Sequence, residues 1–215
     1  MTDLYFGNDD KYMDCRGYMA LQYHIEDAYK ERYNTEDLSG YPISCSPPYA
    51  IFANSYVSEM KELNREKKYD YVFIGSIKSN YSARAWVLEF KERYFTRNSV
   101  FINTDEGGGF CPRNHTYSQS RESQYRIIKE NLSYFQTMAS SKFVLCPGGD
   151  APWSFRFYET LLCGSIPIVE SWHHTYRTPE EASIKYKFIL KDEPHIYRSE
   201  DVEINDDIVK KYHTI

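Results

Sequence analysis

The sequence predicts an α/β protein, a Rossmann-like parallel sheet with helices on both faces, plus a small N-terminal part. Three observations lead there. The stretch Ser141 to Ser171, SKFVLCPGGDAPWSFRFYETLLCGSIPIVES, places two short apolar runs on either side of one helix-sized segment. Such an arrangement reads as a strand, a crossover helix and a second parallel strand, each strand buried on both faces. The same order of strand, turn and helix occurs earlier, from Tyr71 to Tyr94, and Val100 to Asn103 supplies a further strand.

Taken in order, Gly17 to Arg32 reads as a helix, because Tyr18, Leu21, Ile25, Ala28 and Tyr29 fall close to one stripe. The run from Leu38 to Tyr49 is rich in turn residues and reads as a linker or extended connection. A charged helix is expected over Val57 to Lys68, a buried strand over Tyr71 to Ile74 ending at Gly75, and a helix from about Ser82 to Tyr94 capped by Asn80 or Ser82. After the strand Val100 to Asn103 comes the loop TDEGGGFCPRNHTYSQS, long and glycine-rich, read as a lid or a mobile surface loop. It lacks the Lys-Ser/Thr sequel of a Walker loop.

Phe143 to Cys146 form the next strand, ended by Pro147. The helix that follows has three start signals, Asp150, Pro152 and Ser154, and a C-terminal stop at Gly164. Ile166 to Val169 are the second strand of this unit. A short helix (179–182), a strand (Tyr186 to Leu190) and a last helix (Asp206 to Tyr212) complete the chain. The expected division is 1–66 as a small, mainly helical or irregular N-terminal part and 67–215 as the α/β domain.

Chemistry enters at the helix after Pro147. Its N-terminus lies at the carboxyl end of a strand, the edge where open α/β sheets bind ligands. Arg156 falls in the first turn, against the positive end of the helix macrodipole. Two readings stand. In one, Arg156 and Glu159 make a structural pair, although a cation N-terminal to its acid is the poorer helical order. In the other, an anionic ligand compensates Arg156: the Gly148 and Gly149 amides, the helix N-terminus and the guanidinium hold a diphosphate, and Glu159 accepts from ribose hydroxyls. Arg84, in the first turn of the earlier helix, is equally awkward and open to the same two readings.

The segment resembles the exostosin-like glycosyltransferases, whose motif of Ser, Phe, Arg and Phe followed by an acid and Leu is matched by SFRFYETL, and whose plant members carry a loop similar to PGGDAP. The resemblance is strongest from Ser141 to Ser171 and extends from about Tyr69 to Lys191. It implies the donor-binding half of a GT-B glycosyltransferase, with Arg156 on the diphosphate and Glu159 on the ribose of a nucleotide sugar, UDP-linked by resemblance. Gly75, Ser76, Arg84, Gly148, Gly149, Asp150, Trp153 and Ser154 complete the implied donor site. Where exostosins often carry Arg, this chain has Gly148, and Arg84 is the residue available to replace that cation. Golgi exostosins are membrane-anchored, whereas exostosin-like xylosyltransferases of large algal viruses are soluble relatives.

Inverting transfer, the reaction the resemblance implies, needs a base for the acceptor hydroxyl. Asp105, Asp150, Glu106 and His115 are the candidates, while Asp9 and Asp10 read as solvated surface charge. The chain contains no Asp-x-Asp, so amides, dipole and Arg156 are expected to stabilise the leaving diphosphate without a divalent metal and without a cofactor. His173 and His174 are adjacent, point apart on an extended chain, and make poor joint metal ligands.

A net charge of -5 argues against nucleic acid as the main partner; the partners that the resemblance implies are a nucleotide sugar and a glycan acceptor. The five cysteines are odd in number and share no CxxC spacing, so reduced thiols in a cytosol-like compartment are expected. No membrane span or signal peptide is visible, which predicts a soluble cytoplasmic chain, or a Golgi-lumenal one if it is a trimmed form. Two other classes remain open: a nucleotide- or glycan-binding module without turnover, acting in a complex, and another nucleotide-dependent transferase sharing only the cradle.

Overall fold

The computed structural model describes residues 34–36, 54–78, 84–106, 132–148, 154–171 and 183–214. Its elements are α1 (Asn54–Lys61), β1 (Tyr69–Gly75), α2 (Ala85–Tyr94), β2 (Val100–Asn103), α3 (Leu132–Ala139), β3 (Ser141–Leu145), α4 (Phe155–Leu162), β4 (Ile166–Val169), β5 (Ile189–Leu190) and α5 (Ser199–Tyr212), with a 3-10 turn at Thr104–Glu106. The five strands form one sheet in the order β2-β1-β3-β4-β5, every pairing parallel. This is a doubly wound order, and it reverses direction between β1 and β3.

Alternation along the strands splits the core into two layers. Val72, Ile74, Val144 and Val169 face one side and pack with Val57 and Met60 of α1, Tyr134, Phe135 and Met138 of α3, and Phe157, Tyr158 and Leu161 of α4. Phe73, Phe143, Leu145, Ile166 and Ile168 face the other side, where Trp86, Val87 and Phe90 of α2 cover them. Helices therefore lie on both faces, as expected. The last helix reaches both layers, Val209 joining the first and Val202 the second.

Gly164 ends α4 in the left-handed region, at φ +69°. A Cβ there would also lie 2.7 Å from the Arg65 guanidinium carbon, so backbone and packing both call for glycine. Arg65 in turn donates to the Leu162 carbonyl and pairs with Asp206 of α5 at 2.7 Å. Lys67 donates to the carbonyls of Ala139 (2.8 Å) and Gly164 (2.6 Å), closing the C-terminal ends of α3 and α4 together. Both basic residues lie before β1, and with α1 they tie the 54–67 stretch onto the α/β unit.

Several elements differ from expectation. The first helix described runs Asn54–Lys61 rather than to Lys68, because Arg65 and Lys67 are drawn out to these helix ends. The next helix begins at Ala85, which puts Arg84 at its cap position. Only Ile189 and Leu190 pair as a strand; the preceding backbone is held by the Asn205 side chain, which exchanges two 2.8 Å bonds with Lys187. The last helix is twice as long as expected, with Glu200 and Asp201 in its first turn complementing the dipole. The helix α3 (Leu132–Ala139) was not anticipated. The expected helices at 17–32 and 179–182 and the linker at 38–49 lie outside the described residues.

Candidate functional site

The carboxyl ends of β1 and β3 flank the point where the strand order reverses, which is where open α/β sheets place ligands. Arg84 spans this point. Its Nε donates to the Gly148 carbonyl at 2.8 Å and its Nη1 to the Ser76 carbonyl, so one guanidinium joins the loop after β3 to the loop after β1.

The β1 loop is held from its other side by Asp105. One carboxylate oxygen accepts from the Ser76 hydroxyl; the other accepts from the amides of Ile77 (2.7 Å) and Lys78 (2.9 Å). Burial pushes this carboxyl upward, but those bonds and the Lys78 charge outweigh it and hold Asp105 below its ordinary value. Its lone pairs committed and its basicity lowered, Asp105 is fitted to clasp a loop. That argues against the base role expected for it. Glu106 is the last residue of the adjoining 3-10 turn. Asp150 and His115 lie outside the described residues, as do Gly149 and Trp153.

The N-terminus of α4 approaches from the β3 side. Ser154 is its cap residue, in extended conformation, yet its hydroxyl makes no capping bond. Among the described residues the buried Ser154 Oγ has no hydrogen-bond partner, and neither has the buried Nε of Arg156. Buried donors without acceptors are uncommon and call for an explanation.

Arg156 itself lies across the end of β1. A Cβ built on Gly75 would fall 2.5 Å from the Arg156 Nη2, so the guanidinium occupies the space that glycine leaves. The ring of Phe73 lies 5.5 Å from its central carbon, within cation–π range. Burial works against its charge, but Tyr134, Glu159 and Cys146 outweigh that and raise its pKa above the ordinary value. Glu159 is completely buried, and its Oε2 accepts from the Tyr134 hydroxyl at 2.6 Å. The Glu159 that the sequence offered as a partner for Arg156 is thus bonded by a tyrosine of the unanticipated α3. Its signal was present in the spacing of Tyr134, Phe135, Met138 and Ala139, which repeats at helical intervals.

Cys146 lies against the Thr160 hydroxyl at 3.3 Å, and burial pushes its thiol up to about 12. Cys146 and Cys163 are free and buried, and the other three cysteines lie outside the described residues. Among the described residues, no group of three or more His, Cys, Asp and Glu is placed to hold a metal ion, and no helix is long and apolar enough to cross a membrane.

Fold and site together define a doubly wound α/β protein whose switch point brings an uncapped helix N-terminus and two arginines to the carboxyl edge of the sheet. Residues 46–189, more than half of the chain, match the Exostosin GT47 domain; the chain belongs to the exostosin GT47 family. Among curated proteins it is 30% identical over 86 residues to a "Probable beta-1,4-xylosyltransferase" of Arabidopsis thaliana, covering 35% of this chain and 20% of that protein. It is also 30% identical over 86 residues to a "Probable glucuronosyltransferase" of Oryza sativa subsp. japonica, covering 35% of this chain and 19% of that protein. A second rice protein of that name is 43% identical over 53 residues, 25% of this chain and 12% of its own length. The matched stretches thus span a fifth or less of these relatives. No solved structure matches the chain.

Proposed function

We propose that this chain is a glycosyltransferase that binds a nucleotide-sugar donor at the carboxyl ends of β1 and β3 and passes the sugar, a hexose or pentose, to a glycan acceptor with inversion. The donor is a UDP-sugar by family resemblance. What carries the reading is the pair of partnerless buried atoms, Ser154 Oγ and Arg156 Nε, at the uncapped start of α4. A diphosphate oxygen there would accept from both, from the first-turn amides and from the positive dipole end.

Departure of the nucleoside diphosphate places two growing negative charges in this crevice. Arg156 is preorganised for them by the space over Gly75 and the ring of Phe73, and preorganised charge costs no rearrangement during reaction. Arg84, already bonded to the Ser76 and Gly148 carbonyls, fixes the spacing of the two loops. The chain has no Asp-x-Asp, and in this reading the arginines and dipole stand in place of a divalent ion. Glu159 belongs to the ribose side, one turn further along α4, with Tyr134 holding its carboxylate. The acceptor base is among Glu106, Asp150 and His115, and residues 1–66 supply acceptor contacts or a reduced second domain.

Titration calorimetry with UDP and GDP in EDTA tests the donor site. One nucleoside diphosphate binds the wild type, and Arg156→Ala weakens it by at least about 1.5 kcal/mol, the low end for a charged hydrogen bond. Absence of binding, or binding indifferent to Arg156, would falsify the proposal. A second reading, binding without turnover, is favoured by the commitment of Asp105 to its loop; it predicts UDP affinity with no release of UDP from any UDP-sugar when acceptor glycans are supplied.

A further inference from the structure

Strands β1 and β2 pair in parallel with Gly75 opposite Asn103, so their loops leave the sheet side by side. The register brings Ile77 and Asp105, each two residues beyond that pair, to one level. Asn103 fixes the turn, its Oδ1 accepting from the Asp105 amide at 3.1 Å. Against the Asp105 carboxylate the β1 loop presents three donors in succession, the Ser76 hydroxyl and the Ile77 and Lys78 amides, and both amides converge on one oxygen. Successive amides aimed at one point make the kind of concavity in which proteins hold phosphate and other oxyanions. Here the chain fills it with an oxyanion of its own. A tethered group competes at an effective concentration of about millimolar or more, so a dilute free anion does not displace it. The charged form is also the favoured one: burial raises the Asp105 pKa, but the three bonds and the Lys78 charge bring it below the ordinary value.

We propose that Ser76, Ile77 and Lys78 form a second oxyanion site at the switch point, and that Asp105 occupies it in place of phosphate. Asp105 thereby acts as a specificity residue. It denies the β1 loop to phosphate groups, while Arg84 ties the same loop, through the Ser76 carbonyl, to Gly148. The diphosphate is left to the start of α4 and to the Arg156 guanidinium over Gly75. The site itself rests on the bonds to Asp105 alone; its bearing on the donor rests on the donor-site reading above.

Emptying the site tests it. Asp105→Ala should speed amide exchange at Ile77 and Lys78 at least about tenfold, as the loss of charged hydrogen bonds requires. Formate or inorganic phosphate should then slow both amides in the variant and leave them unchanged in the wild type, while sodium chloride at equal ionic strength should do neither. In calorimetry with inorganic phosphate, Asp105→Ala should bind one anion more than the wild type, and the added site should persist in Asp105→Ala/Arg156→Ala. Asp105→Asn is the control: its side chain fills the same space, its amide oxygen still accepts, and it should gain no site. An equal gain in Asp105→Asn would mean that the anion is admitted by removal of a charge rather than by an emptied site, and would overturn the inference. So would exchange in Asp105→Ala that neither formate nor phosphate slows. If Asp105→Ala does not fold, recovery of its fold by formate but not by chloride supports the site, and no recovery contradicts it. A wild type that binds no pyrophosphate removes the donor-site reading and leaves these outcomes to decide the second site by themselves.

Discussion

Gly75 and Arg156 depend on one another. With the guanidinium filling the position of a missing Cβ, Gly75→Ala must displace Arg156 or strain the end of β1. Overpacking of this kind costs about 1–3 kcal/mol, to be read by urea unfolding, and a Gly75→Ala/Arg156→Ala double variant should recover most of that loss. Asp105 carries a pH dependence whose sign follows from its lowered pKa. Its contribution is complete above the unfolded value of 3.8 and is lost as pH falls through the lower folded value. Amide exchange at Ile77 and Lys78 should therefore accelerate on acidification in that range, and in Asp105→Asn this pH step should be absent. The two residues differ in how far sequence exposed them. Arg156 declared itself by sitting in a helical first turn, a local anomaly. The commitments of Asp105 to Ser76, Ile77 and Lys78 join positions nearly thirty residues apart, and no local pattern encodes such a pairing.

At the scale of elements, two basic residues before β1 close the ends of two helices. Burial, then the neighbouring Arg65, lower Lys67 from 10.5 to about 8. Between those values the unfolded chain binds the extra proton, so this residue makes stability rise with pH from about 8 to 10.5. Lys67→Met should abolish that rise in urea unfolding followed across the range. Gly164→Ala should cost about 1–2 kcal/mol for its left-handed backbone alone, and more because Arg65 must move. Strands β2 and β4 were legible to the residue, since both are short apolar runs bounded by breakers, the first half-buried at the sheet edge and the second fully buried. The last helix was legible only in its second half. Its first turns are polar, and the side chain that anchors them is Asn205, buried by its bonds to Lys187 rather than by hydrophobicity. Tyr134 lay in a helix passed over beside the long glycine-rich loop, and with it went the hydroxyl that bonds the buried Glu159.

For the whole molecule, two βαβ patterns in the sequence were enough to imply a parallel sheet covered on both faces. They could not supply the strand order, which depends on where β1 lies relative to β3. That order puts the reversal point between the two strands that carry Gly75 and the Gly148 loop, and it brings separate motif residues to one edge of the sheet, where Arg84 bridges the two loops. The chain belongs to the exostosin GT47 family, and the proposed function requires this switch point to hold the diphosphate of a nucleotide sugar. The most direct measurement is backbone amide exchange by mass spectrometry with and without UDP, in EDTA. Protection confined to Gly75–Lys78, Cys146–Gly148 and the first turn of α4 is the predicted result. Protection elsewhere on the molecule, or none at a UDP concentration that saturates a calorimetric titration, would contradict it.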